Sequence, residues 1–178
     1  MVSGFMCNFA GRKMLKNMSE ELKTLGEGAT KQERWDELLP QIKSLIQGEK
    51  DPIARMANVS AAIMETFRFL WVGFYRNLDG VLVLGPFQGP LACTRIRSGK
   101  GVCGTAFAEK RTLVVPDVDQ FPGHIACSSA SRSEIVVPII AADGSVTGVI
   151  DIDSPYLNTF DETDAKALEQ VAKLMSNE

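Results

Sequence analysis

Four cysteines stand in this sequence, and three of them, Cys93, Cys103 and Cys127, fall close together along the chain, with Cys7 far upstream. None belongs to a Cys-x-x-Cys pair. Such a group suits thiol chemistry, a metal, or simple burial. Cys103 lies in Gly101-Val-Cys-Gly-Thr, at the start of a predicted helix, where backbone N–H groups would favour a thiolate. Cys127 lies in a polar loop, and Cys93 follows Gly89-Pro90-Leu91-Ala92. All three are expected in loops and element ends rather than mid-core. Carboxylates form the second set. Val149-Ile-Asp-Ile-Asp153 alternates, so Asp151 and Asp153 share one strand face. They are either acids on a solvated face or paired carboxylates in a pocket, where mutual repulsion raises at least one pKa and suits a proton donor. Glu134 opens a neighbouring strand and can join them. Aromatics form the third set. Phe69, Trp71, Gly73 and Tyr75 share a strand face opposite Leu70, Val72 and Phe74, with Gly73 leaving room beside the sheet. Trp71 and Tyr75 either pack under a helix or wall a small apolar ligand group.

The elements that must position these residues are legible in outline. Trp35, Leu38, Leu39, Ile42, Leu45 and Ile46 recur at helical spacing from Lys31. Pro40 predicts a kink or two short helices, and Gly48 a stop. Asp51 caps a second helix with Pro52 in its first turn; its stripe is Ile53, Met56, Ala57, Ser60, Ile63, Met64 and Phe67. Strands are expected at 69–75, 81–87, 113–115, 134–141 and 146–153, with Asp79-Gly80 and Asp143-Gly144 as hairpin turns. A helix is expected over 102–110. The last helix opens at Thr159 or Asp161, with Thr159 and Glu162 spaced as a capping box. It carries Leu168, Val171, Ala172 and Met175 on one face. Helices at both ends and an antiparallel sheet between them define an α+β domain over 31–178, preceded by an extension, 1–30, expected to be disordered.

At 178 residues, 45% hydrophobic and 23% charged, the chain suits one globular domain. No apolar run reaches the ~20 residues of a membrane span. A net charge of -3 argues against general nucleic-acid binding. The first nineteen residues hold no acid but include Arg12, Lys13 and Lys16. They read as a weak organelle-targeting segment or, preferably, an untargeted extension. No phosphate-binding loop or dinucleotide fingerprint is present. Cys93, Cys103, Cys127 and His124 could make a zinc set, but lack the close Cys pairs of common zinc sites. A cysteine hydrolase would have to use His124, the only histidine, three residues from Cys127. We therefore expect neither metal nor cofactor.

The segments Thr94-Arg-Ile-Arg-Ser-Gly-Lys-Gly-Val-Cys103-Gly-Thr-Ala, Val115-Pro-Asp-Val-Asp-Gln-Phe-Pro-Gly-His-Ile-Ala-Cys127, Ser133-Glu-Ile-Val-Val-Pro-Ile and Gly148-Val-Ile-Asp-Ile-Asp-Ser-Pro resemble the free methionine-(R)-sulfoxide reductases. These are stand-alone GAF-domain enzymes. The resemblance runs from Trp35 to about Met175 and includes the three clustered cysteines in order; Cys7 lies outside it. It implies a GAF-like fold, with terminal helices on one sheet face and a ligand pocket on the other. It implies reduction of free methionine-(R)-sulfoxide by thiolate attack, a sulfenic acid, an intramolecular disulfide, and regeneration by thioredoxin or a similar dithiol. The resemblance favours Cys127 as nucleophile, Cys93 as resolver and Cys103 as second resolver, whereas helix-end reasoning favours Cys103 first. Trp71 and Tyr75 would seat the S-methyl group. Glu134, Asp151 and Asp153 would supply an acid and an ammonium site, and backbone N–H groups over 125–127 would receive the carboxylate. A homodimer and a cytoplasmic setting are expected. The alternative is a non-catalytic GAF sensor, for which Asn158-Thr-Phe-Asp-Glu superficially resembles a cyclic-nucleotide signature that a helix cap explains more simply.

Overall fold

The computed structural model describes residues 21–124 and 129–176. The extension up to residue 20 with Cys7, its targeting reading, and residues 125–128 with Cys127 lie outside the described residues. Helix α1 runs Lys31–Ile46, opened by a capping box between Thr30 and Glu33. It runs unbroken through Pro40, so of the two expected outcomes, a kinked helix or two short ones, the second does not occur. Trp35, Leu38, Ile42 and Ile46 are buried along one face of α1 and hold it against the core on both sides of the proline. Gly48 takes a positive φ just beyond the C-cap Gln47. Helix α2, Pro52–Phe67, starts as expected: the Asp51 side chain accepts from Ile53 N and Ala54 N. Ile53, expected on the buried stripe, is instead exposed.

Strands β1 (Trp71–Leu78), β2 (Val81–Gln88), β3 (Arg95–Arg97), β4 (Leu113–Val115), β5 (Ser133–Ile140) and β6 (Val146–Ser154) form one sheet in the order β3-β2-β1-β6-β5-β4. Every pairing is antiparallel. Helix α3, Gly101–Glu109, follows β3, and α4 is Glu162–Ser176. Strand β3 and the 3-10 turn Val118–Gln120 were not expected; each is three residues long and gives too short a pattern to read. The capping box at Thr159 is also absent. Asp161 Oδ1 accepts from Thr163 N at 2.8 Å, Asp164 Oδ2 accepts from Asp161 N, and the Thr159 hydroxyl bonds Ser154 instead.

Side-chain alternation divides the interior in two. Val72, Phe74, Ile135, Val137, Ile150 and Ile152 face a core shared with α1, α2 and α4. Trp71, Tyr75, Val136 and Val149 face the opposite side, with α3. Phe69 precedes β1 and escapes its alternation: it packs on the helical side, stacked on Phe67. The helical layer is tied by a buried polar knot. Trp35 Nε1 donates to Asp164 Oδ1 at 2.9 Å, and Lys31 Nζ donates to Asp164 Oδ2 at 2.5 Å. This joins α1 to α4 and satisfies a fully buried carboxylate. Residues before α1 also lie against it. Leu22 packs on the helical core, and Lys23 exchanges hydrogen bonds with the Gln41 side chain.

Candidate active site

Sheet register builds the site. Trp71 pairs with Asp153, Asp153 with Glu134, and Glu134 with Val115, so an indole and two carboxyl groups lie in one row across four strands. The adjacent row is Gly73, Asp151, Val136 and Leu113. These residues share the face covered by α3, so the three expected acids meet on one side of the sheet. Gly73 has a more specific reason than leaving room. A Cβ there would lie 2.4 Å from Trp71 Cη2 and 2.4 Å from Phe87 Cβ. The indole lies over the glycine, stacked on Phe87 with ring centres 5.3 Å apart. Trp71 is thereby held as a flat wall, 3% exposed.

The cavity against this wall spans about 560 Å³ including its open mouth, and its lining includes Trp71, Tyr75, Cys103, Glu134, Asp151 and Asp153. Glu134 and Asp151 are buried. Burial first, and the neighbouring carboxylates second, raise both well above the ordinary carboxyl range. Asp153 is pushed up to about 6, mainly by burial, against a hydrogen bond from the Ser131 hydroxyl that favours its ionised form. Three neighbouring carboxyl groups are therefore graded: two stay neutral to higher pH, and one ionises near neutrality. Two polar atoms of the lining, Trp71 Nε1 and Asp151 Oδ1, have no hydrogen-bond partner among the described residues. A buried donor and a buried acceptor left unpaired each cost free energy that a ligand can recover.

The cysteines separate by environment. Cys103 is a free thiol, 3% exposed, with Sγ 4.0 Å from Glu134 Oε1. It stands in the first turn of α3, as expected, but inside the core, and burial followed by the Asp151 and Glu134 carboxylates raises its pKa well above the ordinary thiol value. The helix-end expectation is overturned here: the N-terminus of α3 is outweighed by desolvation and negative charge. Cys93 is half-buried between β2 and β3 and is engaged in a disulfide. The Tyr75 hydroxyl donates to the Cys93 carbonyl at 3.0 Å, so the phenol anchors the cysteine loop as well as lining the cavity. Burial and the same acids hold the phenol un-ionised.

Cys103 Sγ and one oxygen each of Glu134 and Asp151 lie within 4.8 Å of one another, close enough to share an ion. This is not the zinc set considered from the sequence, because Cys93 is in a disulfide and offers no thiolate. Two further polar groups join the acids in the lining: His124, weighed from the sequence only as a zinc ligand or a hydrolase base, and Ser131, which was not a candidate. His124 Nε2 lies 3.9 Å from Glu134 Oε2, and Ser131 bonds Asp153. Both come from the connection between the 3-10 turn and β5, where no periodicity signals a side chain's direction.

A curled antiparallel sheet with the terminal helices on one face and an acid-lined cavity on the other defines a GAF domain, and the GAF domain family pattern matches residues 51–178. The chain is 55% identical over 161 residues to GAF domain-containing protein A of Dictyostelium discoideum, covering 90% of this chain and all of that one. It is 44% identical to the free methionine-R-sulfoxide reductase of Saccharomyces cerevisiae, covering 82% of this chain and 86% of that one. The crystal structure of free methionine-R-sulfoxide reductase from Neisseria meningitidis, in complex with its substrate, superimposes with a TM-score of 0.83 at 50% identity, covering 88% of this chain and 94% of that one. The chain belongs to the free methionine-R-sulfoxide reductase family of GAF domains.

Proposed function

We propose that this protein reduces free L-methionine (R)-sulfoxide to L-methionine, with Cys127 as nucleophile. The observation that supports this best is the graded acid cluster under the Trp71 wall. A sulfoxide oxygen is a poor leaving group until it is protonated. Glu134 and Asp151, kept neutral by burial, are suited to give that proton. Asp153, ionised above about 6, suits the substrate ammonium. Trp71 and Tyr75 give the S-methyl group an apolar seat beside these acids. A peptide-bound sulfoxide lacks the ammonium and would leave the ionised Asp153 without a cation, which accounts for selection of the free amino acid. Backbone N–H groups over 125–127 take the carboxylate in this reading.

Attack of the Cys127 thiolate on the substrate sulfur, with proton transfer to oxygen, forms a bond from Cys127 Sγ to that sulfur; the protonated oxygen then passes to Cys127 Sγ as this bond and the original S–O bond break. Methionine leaves, and Cys127 carries the oxygen as a sulfenic acid. The Cys93 thiol then displaces that oxygen as water and forms a disulfide. Two electrons from an external dithiol restore both thiols. Cys103 takes the slower second-resolver role, because burial among carboxylates disfavours its thiolate. We further propose thioredoxin or a similar dithiol as reductant, a homodimer, a cytoplasmic setting, and a catalytic unit over 31–178 preceded by the extension 1–30. The test supplies the separate R and S sulfoxides of free methionine with dithiothreitol and follows methionine. Turnover of R alone is expected. A Cys127→Ala protein that still releases one methionine per chain without reductant would overturn the cysteine assignment.

A further inference from the structure

The disulfide at Cys93 must be opened from outside, and the structure presents an unusual surface next to it. Residues 89–94 connect β2 to β3 without regular structure. Gly89 takes a φ of +131°, and a Cβ there would lie 2.7 Å from the Leu70 carbonyl oxygen, so only glycine makes this turn without strain. Beyond it Pro90 has no N–H. Leu91 is 88% exposed, the most exposed large apolar side chain among the described residues. The backbone N–H and C=O groups of Leu91 and Ala92 have no hydrogen-bond partner among the described residues. The loop is pinned on its far side by Tyr75 Oη at the Cys93 carbonyl and by Leu84 N at the Thr94 carbonyl. It is therefore held in place while its outer edge is left unpaired. Its charge is one-sided. No acid occurs between Asp79 and Glu109, whereas Arg95, Arg97 and Lys100 are all exposed, in a chain whose net charge is -3.

We propose that Leu91 and the unpaired backbone of Leu91-Ala92, flanked by Arg95, Arg97 and Lys100, form the docking surface for the regenerating partner. That partner is a protein dithiol whose reactive cysteine lies in an apolar patch with an acidic rim. The proposal rests on the reductase reading for the need to reopen the Cys93 disulfide. Leu91 supplies the apolar contact two residues from the target sulfur. The free N–H and C=O groups accept strand-like pairing from an extended segment of the partner. The cations speed the encounter and orient it. In the exchange a partner thiolate attacks Cys93 Sγ, breaking the intramolecular S–S bond and forming a mixed disulfide. The displaced sulfur takes a proton. The partner's second thiol then attacks the mixed disulfide and releases Cys93 as a thiol, so two electrons pass from partner to chain and the partner leaves oxidised.

The test measures this exchange directly, without sulfoxide. Oxidised protein is mixed with thioredoxin lacking its second cysteine, and the rate of mixed-disulfide formation is followed by mass. Leu91→Asp is expected to slow trapping about tenfold, while reduction of the same disulfide by dithiothreitol stays within about twofold of the unsubstituted rate. The double substitution Arg95→Glu, Arg97→Glu is expected to slow trapping at low salt and to flatten its salt dependence. Equal trapping of Leu91→Asp and the unsubstituted protein would overturn the proposal. So would a parallel loss with dithiothreitol, or thioredoxin reacting no faster than dithiothreitol at equal thiol. Failure to reduce methionine sulfoxide while the trapping difference persists would count against the reductase reading and leave the docking surface standing.

Discussion

Replacing Asp153 by asparagine should stabilise this protein at neutral pH while impairing its site. The carboxyl moves from an ordinary 3.8 to about 6 in the folded state, chiefly through burial. Such a group favours folding while it is protonated in both states, below pH ~4. That stability is lost as pH rises from the unfolded value through the folded one, because the unfolded chain then gives up its proton first. At about 1.4 kcal/mol per tenfold change in the ionisation constant, the loss reaches roughly 3 kcal/mol above pH ~6.5. Asparagine carries no charge and can still accept the Ser131 hydroxyl through its amide oxygen. Urea unfolding of both proteins between about pH 4 and 7.5 should show Asp153→Asn more stable by about 1–3 kcal/mol at the upper end and level with the unsubstituted protein at the lower end. Activity should move the other way: kcat/KM for the free sulfoxide should fall, because the partner proposed for the ammonium is gone. An Asp153→Asn protein equal or lower in stability at pH ~7.5 would refute the claim that burial sets this ionisation.

Native Cys103 should resist iodoacetamide and react only in denaturant, because its sulfur is buried and its thiolate disfavoured; peptide mass mapping of the reduced protein gives the answer, and rapid native labelling would contradict it. Gly73→Ala should cost about 2–4 kcal/mol or fail to fold, since the added methyl meets Trp71 and Phe87 at 2.4 Å; thermal unfolding and the fluorescence of Trp71 report both effects. Trp35→Phe should cost about 1–3 kcal/mol, because Asp164 Oδ1 loses its indole donor inside the helical layer; the loss should shrink in a background where Asp164 is also replaced, as a double-mutant cycle will show.

The sequence by itself determined the local devices and the two faces of each strand. Asp51-Pro52 fixed the start of α2, since capping needs only neighbouring backbone N–H groups. Alternation placed Asp151 and Asp153 opposite Ile150 and Ile152, and Trp71 and Tyr75 opposite Val72 and Phe74, because a side-chain period of two is a property of the strand alone. The role proposed for Cys127 rests on family resemblance, which periodicity could not supply. Three things depended on contacts between residues distant in the chain. Register put Trp71, Asp153 and Glu134 in one row and Asp151 in the next, and only that pairing turns separate acids into a graded cluster. The approach of α3 to the sheet carried Cys103 from a helix start into a core lined with carboxylates, reversing the effect expected on its thiol. Tertiary packing also kept α1 whole through Pro40, and a three-residue strand, β3, exists only because β2 offers it an edge. Spacing along the chain states which face a residue takes; the desolvation and charge that set its chemistry are summed over neighbours that only the folded chain brings near.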